Sequence, residues 1–266
     1  MTVITAFLLG ATIGSFLNVC ADRLPQEQSL VRPPSHCSSC GRRVTPLDMI
    51  PVLSYLALRG RCRSCGASIS PRILVMEIAT GTLFTYLWLA SGWSLDTLLM
   101  ATAVSILLVV AVIDLERQLV LNSVVAAGLL LGLVSAPLWS ANARDPLWAV
   151  GSAPLGALLD ALIAGGAGLA LFLVLALVSR GGMGWGDVKL AGMIGVWVGL
   201  RGLSVALMVS AVSGGAVALL LLAMRVKGRK DAIPFAPFLA LGGMTALLWG
   251  QVLSARYLEL MNWAGP

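Results

Sequence analysis

The sequence predicts an all-α polytopic membrane protein, with about eight transmembrane helices and one small cytosolic insert, and three observations carry that fold class. Hydrophobic residues make up 58% of the 266-residue chain and charged residues 11%, with a mean hydropathy of +0.92, whereas a water-exposed surface normally needs about 25% charge. The apolar residues gather in stretches near the roughly 20 residues that cross a hydrocarbon core. Lys and Arg fall very unevenly between alternate connecting segments, the usual mark of membrane topology.

The first apolar stretch, residues 2–20, has no basic segment ahead of it and its charges follow it. It therefore reads as a retained helix and not as a cleaved signal peptide. Residues 21–72 change character, being rich in Arg, Pro, Ser and Cys, and are expected to form a separate cytosolic domain. Apolar stretches return at 73–91, 96–113, 120–138, 155–179, 188–203, 204–224 and 234–255, which makes 73–266 the membrane core. The sixth and seventh of the eight stretches run together around Arg201-Gly202.

With the N-terminus outside, fifteen Lys and Arg fall on the inner side, and only Arg144, Arg201 and Arg256 fall on the outer. The net charge of +6 is thus mostly topogenic, and no nucleic-acid partner is implied. Membrane lipid is the expected surrounding.

The insert holds four of the five cysteines, as Cys37-Ser38-Ser39-Cys40-Gly41 and Cys62-Arg63-Ser64-Cys65-Gly66. Two Cys-x-x-Cys-Gly turns separated by 21 residues are close to the spacing of four-cysteine zinc sites. The similarity extends through "CSSCGRRVTP" and "CRSCGASISP", as expected of two knuckles that each give two thiolates to one tetrahedral ion. Glycine after the second cysteine lets each turn take positive φ and aim amides at the sulfurs. Disulfides would use the same residues but are disfavoured in a reducing cytosol, and an iron centre would accept the same geometry. An insert this short has too little core to fold comfortably alone, so a structural metal worth on the order of 10 kcal/mol is a fitting staple. His36, beside Cys37, would be a surplus ligand and reads as a solvated loop residue; Cys20 reads as a small interfacial hydrophobe.

A single histidine removes Ser-His-Asp, Cys-His and His-rich metalloprotease mechanisms, and the chain has neither a P-loop nor a dinucleotide-binding glycine fingerprint. Acid/base chemistry by carboxylates remains. Asp96 and Asp145 fall on the outer side, Asp48 and Asp231 in basic cytosolic segments, and Asp22, Glu27 and Glu116 at helix ends or in a loop; all read as solvated or paired charges. Glu77 lies just inside the second apolar stretch, with Arg72 five residues earlier as a candidate partner at a non-ideal helical spacing. Asp160, near the start of the fifth, suits a helix N-terminus.

Asp114 and Asp187 stand apart. Asp114 ends an apolar run in "LLVVAVIDLERQ", and Asp187 opens one in "GMGWGDVKLAG" on the same side of the membrane. A charge at bilayer depth is expensive and marks a functional site. Two carboxylates brought close cannot both ionise easily, so one holds a proton while the other deprotonates a water, and the pair titrates as a unit. The pattern suggests an aspartyl protease. Glycines at 181, 182, 184 and 186 would permit close backbone contact with an extended substrate. The bland alternative is a glycine-rich turn with Asp187 as a helix cap.

Taken in order, several segments resemble the type IV prepilin peptidases, of the Gly-x-Gly-Asp intramembrane aspartyl protease class. They are "GSFLNVCADRLP" (Gly14 to Pro25), "DMIPVLSYLALRGRCRSCGASISPRILVME", "IDLERQLVLN", "GMGWGDVKLAGMIGVWVG" and "IPFAPFLALGG" (Ile233 to Gly243). The resemblance implies a multi-pass enzyme of the bacterial cytoplasmic (inner) membrane that cuts the basic leader from prepilins or type II secretion pseudopilins after a glycine at the cytoplasmic face. It implies that Asp114 and Asp187 are the catalytic aspartates, and that Cys37, Cys40, Cys62 and Cys65 belong to the family's cysteine domain. Cysteine-bearing members also methylate the new N-terminal amine with S-adenosylmethionine. Leu121-Asn122 replaces the usual Pro-Asp or Pro-Asn after the first aspartate, Ser38 replaces a proline, and Met49 an asparagine. A peptidase without methylation, and a metal-gated channel or transporter, are the alternative functions.

Overall fold

The structure, a computed structural model, describes residues 2–139, 154–179, 183–225 and 234–263. Arg144, Asp145, Arg180, Gly181, Gly182, Lys227, Arg229, Lys230, Asp231 and Ile233 lie outside the described residues. Backbone polar groups in hydrocarbon must be satisfied within the segment, which in a chain this apolar selects helix. The described residues form eight α-helices: α1 (Val3–Arg23), α2 (Leu53–Ala57), α3 (Pro71–Ser91), α4 (Leu95–Arg117), α5 (Asn122–Ser135), α6 (Pro154–Val178), α7 (Trp185–Ala223) and α8 (Ala236–Trp263).

Six of them, among the described residues, are long and apolar enough to cross a membrane: α1, α3, α4, α6, α7 and α8. This count differs from the eight expected for two reasons. The stretch at 120–138 forms a shorter apolar helical segment, Asn122–Leu138. The stretches at 188–203 and 204–224 form one 39-residue helix, α7. At 1.5 Å per residue that is about 58 Å, twice a hydrocarbon core.

The length of α7 is resolved by a break at Gly199, at φ 71 and ψ 179, a backbone region open essentially to glycine alone. Ile194, before the break, lies against the position of Gly243 on α8, while Ala206 and Ser210, after it, lie against Gly242. Residues on both sides of Gly199 therefore meet adjacent positions of α8, and α7 doubles back on itself. The reversal comes two residues before the Arg201-Gly202 boundary expected from hydropathy. Asp160, 2% exposed on α6, accepts the Leu200 N–H at 3.4 Å just beyond the break. A newly started helix has N–H groups without intrahelical partners, so Asp160 caps the second half of α7.

The chain falls into two compact units, Met1–Thr97 and Leu98–Pro266. In the first, α1 and α3 pack antiparallel through small residues. A Cβ on Gly14 would come within 2.8 Å of the Met76 carbonyl oxygen, and one on Gly81 within 2.7 Å of the Phe7 ring. The loop after α1 is pinned by Arg23, which donates to the carbonyls of Ser29 at 2.9 Å and Pro33 at 2.7 Å. Arg72, at the start of α3, pairs with Asp22 at the end of α1, at 2.7 Å.

In the second unit α6 meets the first half of α7 backbone to backbone: a Cβ on Gly168 would come within 2.6 Å of the Ala191 carbonyl oxygen. The Trp197 indole N–H donates to the Gly128 carbonyl of α5 at 2.9 Å. Large side chains such as Leu130, Val174 and Val212 are exposed, as suits lipid-facing positions. Small residues at helix contacts and large ones facing outward are the membrane arrangement.

Glycine is required at 199 by conformation, while nothing lies within 4 Å of a Cβ built on Gly166 of α6. Gly199→Ala is expected to lower stability by about 1–3 kcal/mol, and Gly166→Ala to leave it unchanged or raise it by roughly 0.5–1 kcal/mol. Thermal unfolding midpoints of the two variants in one detergent check this ordering.

Candidate functional site

Asp114 lies in the last turn of α4 and is 5% exposed. The helix stops three residues later, where Gln118 takes φ 52 and donates its N–H to the Asp114 carbonyl at 2.8 Å, an ordinary left-handed termination. The chain then runs through Val120 to Leu121, whose φ of −73 is close to the angle a proline would fix. Leucine thus adopts the proline-like angle here, and α5 begins at Asn122.

Asp187 is half-buried in the first turn of α7. Gly184 is the cap residue of this helix, so Asp187 is the third helical residue and not the cap itself. Its N–H donates to the Gly184 carbonyl at 3.1 Å, and its carboxylate accepts the Gly184 N–H. A third-position acid reaching back to the cap amide is half of a capping box. Gly186 has a different task. A Cβ there would come within 2.6 Å of the Val120 Cβ, so glycine lets the start of α7 close onto the segment that leaves α4. Lys189, one turn from Gly186, donates to the Asn122 side-chain oxygen at 2.8 Å, joining the starts of α5 and α7.

The two aspartates, distant in sequence, come within electrostatic reach of each other. The Asp114 carboxylate accepts the N–H of Ala236, the first residue of α8, while its Oδ2 is buried with no hydrogen-bond partner. The N-termini of α7 and α8 thus each present an N–H to one carboxylate, where the positive end of a helix dipole favours negative charge. Phe172 stacks on Phe235, and Phe235 meets Phe238 at a 45° tilt beside the start of α8, with ring centroids 6.1 and 6.2 Å apart. The site therefore offers two neighbouring carboxylates and one free buried acceptor oxygen.

The cysteine knuckles are built as a repeat offset by 25 residues. Cys37 N–H bonds the Arg42 carbonyl at 2.9 Å and Cys62 N–H the Ala67 carbonyl at 2.8 Å; Gly41 and Gly66 take φ 67 and 72; His36 bridges Arg43 as Arg61 bridges Ser68. Ser38, in place of the family's proline, leaves the first knuckle with the same bonds as the second. All four Sγ atoms lie within 4.8 Å of one another, with Cys37 and Cys65 at 3.8 Å. Tetrahedral zinc with Zn–S bonds of about 2.3 Å requires sulfurs about 3.8 Å apart, so the cluster fits that ion. Backbone N–H groups of Cys40 and Ser39 lower the Cys37 thiol to about 6. Cys65, although the Ala67 N–H favours its thiolate, is pushed up to about 11 by desolvation and the neighbouring thiols. Asp48 ties the arms together, accepting from Thr45 at 2.9 Å and pairing with Arg63, between the second pair of cysteines, at 2.7 Å. His36 is exposed and stands outside the cluster, and Cys20 is buried in α1.

The sequence reading did not anticipate the Asn122–Lys189 link or the Ala236 amide. Lys189 carries a signal only in hindsight, as a cation two residues from Asp187; a backbone donor carries none.

A model of the bacterial peptidase A24 N-terminal domain matches residues 8–91, and one of the type IV leader peptidase family matches residues 101–219. The prepilin leader peptidase/N-methyltransferase of Stutzerimonas stutzeri is 35% identical, with 97% of this chain and 94% of that protein covered. The proteins of that name from Pseudomonas aeruginosa and Bacillus subtilis are 33% and 32% identical, covering 97% and 96% of this chain and 93% and 97% of their own lengths. No solved structure matches the chain. Two family models in series and near full-length identity to these relatives place the chain in the type IV prepilin leader peptidase/N-methyltransferase family, peptidase A24, as a multi-pass membrane enzyme.

Proposed function

We propose that this protein removes the basic leader of type IV prepilins or type II secretion pseudopilins with Asp114 and Asp187 as its catalytic pair, and then N-methylates the new N-terminal residue. The observation that carries the reading is the convergence of the two carboxylates, with Asp114 Oδ2 left buried and unpartnered. One carboxyl keeps a proton and the other takes one from water. The water oxygen attacks the scissile carbonyl, the protonated carboxyl supplies the proton that carbonyl oxygen needs, and the departing amine is reprotonated by the same pair. The two act as one titrating unit. The Lys and Arg distribution supports an N-terminus outside, with the pair and the cysteine insert at the cytoplasmic face of the bacterial inner membrane.

Cys37, Cys40, Cys62 and Cys65 would hold zinc. With all four positions taken by thiolates, the ion would fold the insert and would not activate water. S-adenosylmethionine supplies the methyl group when bound, and the insert with its neighbouring helix ends is where residues outside the peptidase pair are available to receive it.

Asp114→Asn and Asp187→Asn should each lower leader cleavage by at least about 100-fold, while a synthetic mature N-terminus remains a methylation substrate. Intact mass of prepilin and pseudopilin, incubated with protein in lipid, reads both steps. Normal cleavage by either variant sinks the pair, and leader loss without an added methyl by the unaltered protein leaves a peptidase alone.

Metal content provides an independent check. One zinc per chain is expected by elemental analysis, lost in Cys37→Ser and Cys62→Ser. Because Cys65 is a thiol at neutral pH before metal arrives, binding must release protons, and affinity should fall as pH drops from 8 toward 6, where Cys37 also protonates. Competition against a chelator at three pH values would show it, and a pH-independent affinity would exclude thiolate ligation.

A further inference from the structure

The pair at Asp114 and Asp187 leaves another buried carboxylate without a task. Glu77 lies in the second turn of α3, inside a span, and is 4% exposed. An ionisable group at such a position marks a functional site by default. Its Oε2 accepts the Val52 N–H at 2.7 Å. Val52 itself has φ 63 and ψ −54, and across it the Leu53 N–H bonds the Pro51 carbonyl at 2.6 Å. This is a γ-turn of the strained hand, rare for any residue and an outlier for a β-branched one. Such strain persists where neighbouring groups over-determine it, and it gathers at functional sites.

Asn18 faces the same helix contact from α1 and is also 4% exposed. Its amide nitrogen donates to the carbonyls of Gly14 at 3.2 Å and Ile73 at 3.3 Å, which fixes the orientation of the amide. Its Oδ1 is then buried with no hydrogen-bond partner. A Cβ on Gly14 would lie 3.0 Å from the Glu77 Cα, and Ile73 is one turn before Glu77. Asn18 and Glu77 therefore occupy successive rungs of an antiparallel contact. Side chains lean toward the N-terminus of their own helix, so these two lean toward one another.

Both functions on offer are acceptors, an amide oxygen and a carboxylate. A ligand that satisfies both must donate hydrogen bonds and carry positive charge. We propose that the α1–α3 seam beneath the Pro51–Leu53 turn binds a primary alkylammonium, the new N-terminal amine of the cleaved substrate, for methylation. This rests on the methylation proposed above. Held there, the ammonium gives one proton to Glu77. The amine lone pair then forms the N–C bond to the donor's methyl carbon as the C–S bond breaks, its electron pair staying on sulfur as a neutral thioether. The amine leaves as a secondary ammonium and Glu77 returns its proton to solvent. The α-ammonium of S-adenosylmethionine offers the same chemistry to the same acceptors, and binding measurements separate the two sources.

The test uses the full chain in lipid nanodiscs, a peptide of the mature pilin N-terminus and its N-acetylated twin. Glu77→Gln keeps an oxygen for the Val52 N–H and removes the charge. The unaltered protein should bind the free amine at least about tenfold tighter than the acetylated peptide. Glu77→Gln should bind both alike and methylate the free peptide about 100-fold more slowly, while leader cleavage, which rests on Asp114 and Asp187, persists. If the variant keeps its preference for the free amine but loses affinity for radiolabelled S-adenosylmethionine, the seam stands as the donor's ammonium site. Unchanged methylation together with both affinities unchanged would overturn it. Should Glu77→Gln lose cleavage as well, Asn18→Ala is judged on the same two affinities. An unaltered protein that neither cleaves nor methylates defeats the functional reading instead, and the free-amine preference then decides the seam alone.

Discussion

In hydrocarbon a leucine gains nothing by leaving lipid for a neighbouring helix, so the helices of this chain hold together where their backbones can touch. Gly14 against Met76, Gly168 against Ala191 and Gly186 against Val120 are contacts that a single methyl group would open. They matter to the chemistry because a helix is stiff along its axis. Fixing Gly186 on Val120 fixes Asp187 one residue away, relative to a segment that leaves α4 six residues after Asp114. The separation of the carboxylates is thus set by close packing, without any direct bond between them.

Helix ends then supply what helix interiors cannot. Within a membrane, N–H groups not already committed to the helix ladder occur only in first turns, and both aspartates use one. Their positions are not equivalent. Asp187 lies in the first turn of its own helix, where the dipole favours a carboxylate; Asp114 lies in the last turn of α4, where its own helix disfavours one. The Ala236 N–H at the start of α8 offsets that disadvantage for Asp114. A pair held in unequal fields suits a mechanism in which one carboxyl keeps a proton while the other gives it up.

What the sequence made legible, and what it did not, follows from how local each feature is. The cysteine knuckles repeat within ten residues, and every backbone hydrogen bond of the first has its counterpart in the second 25 residues on. Asp114 and Asp187 were visible because charge at the end of an apolar run is rare. The reversal at Gly199 was displaced by two residues because hydropathy records apolarity and not direction; the chain stays apolar straight through the turn. The caps were hidden for another reason. Asp160 binds a backbone N–H exposed only because α7 breaks, and Glu77 binds one turned outward only because Val52 takes a positive φ. Neither partner has a side-chain signature.

The buried side-chain oxygens without a partner, among the described residues, are Asn18 Oδ1 and Asp114 Oδ2. One lies in each compact unit. An acceptor buried without a donor loses its hydration and recovers nothing within the protein, a deficit of about 1–3 kcal/mol, and the surrounding apolar helices offer no remedy. Each orphan also belongs to a helix contact that carries a further carboxylate, Glu77 one turn along the α1–α3 contact from Asn18 and Asp187 within electrostatic reach of Asp114. In both places the missing component is a donor: water for the pair proposed to cleave, an ammonium for the seam proposed to hold the amine. The fold leaves open the acceptor positions that the two proposed reactions would fill.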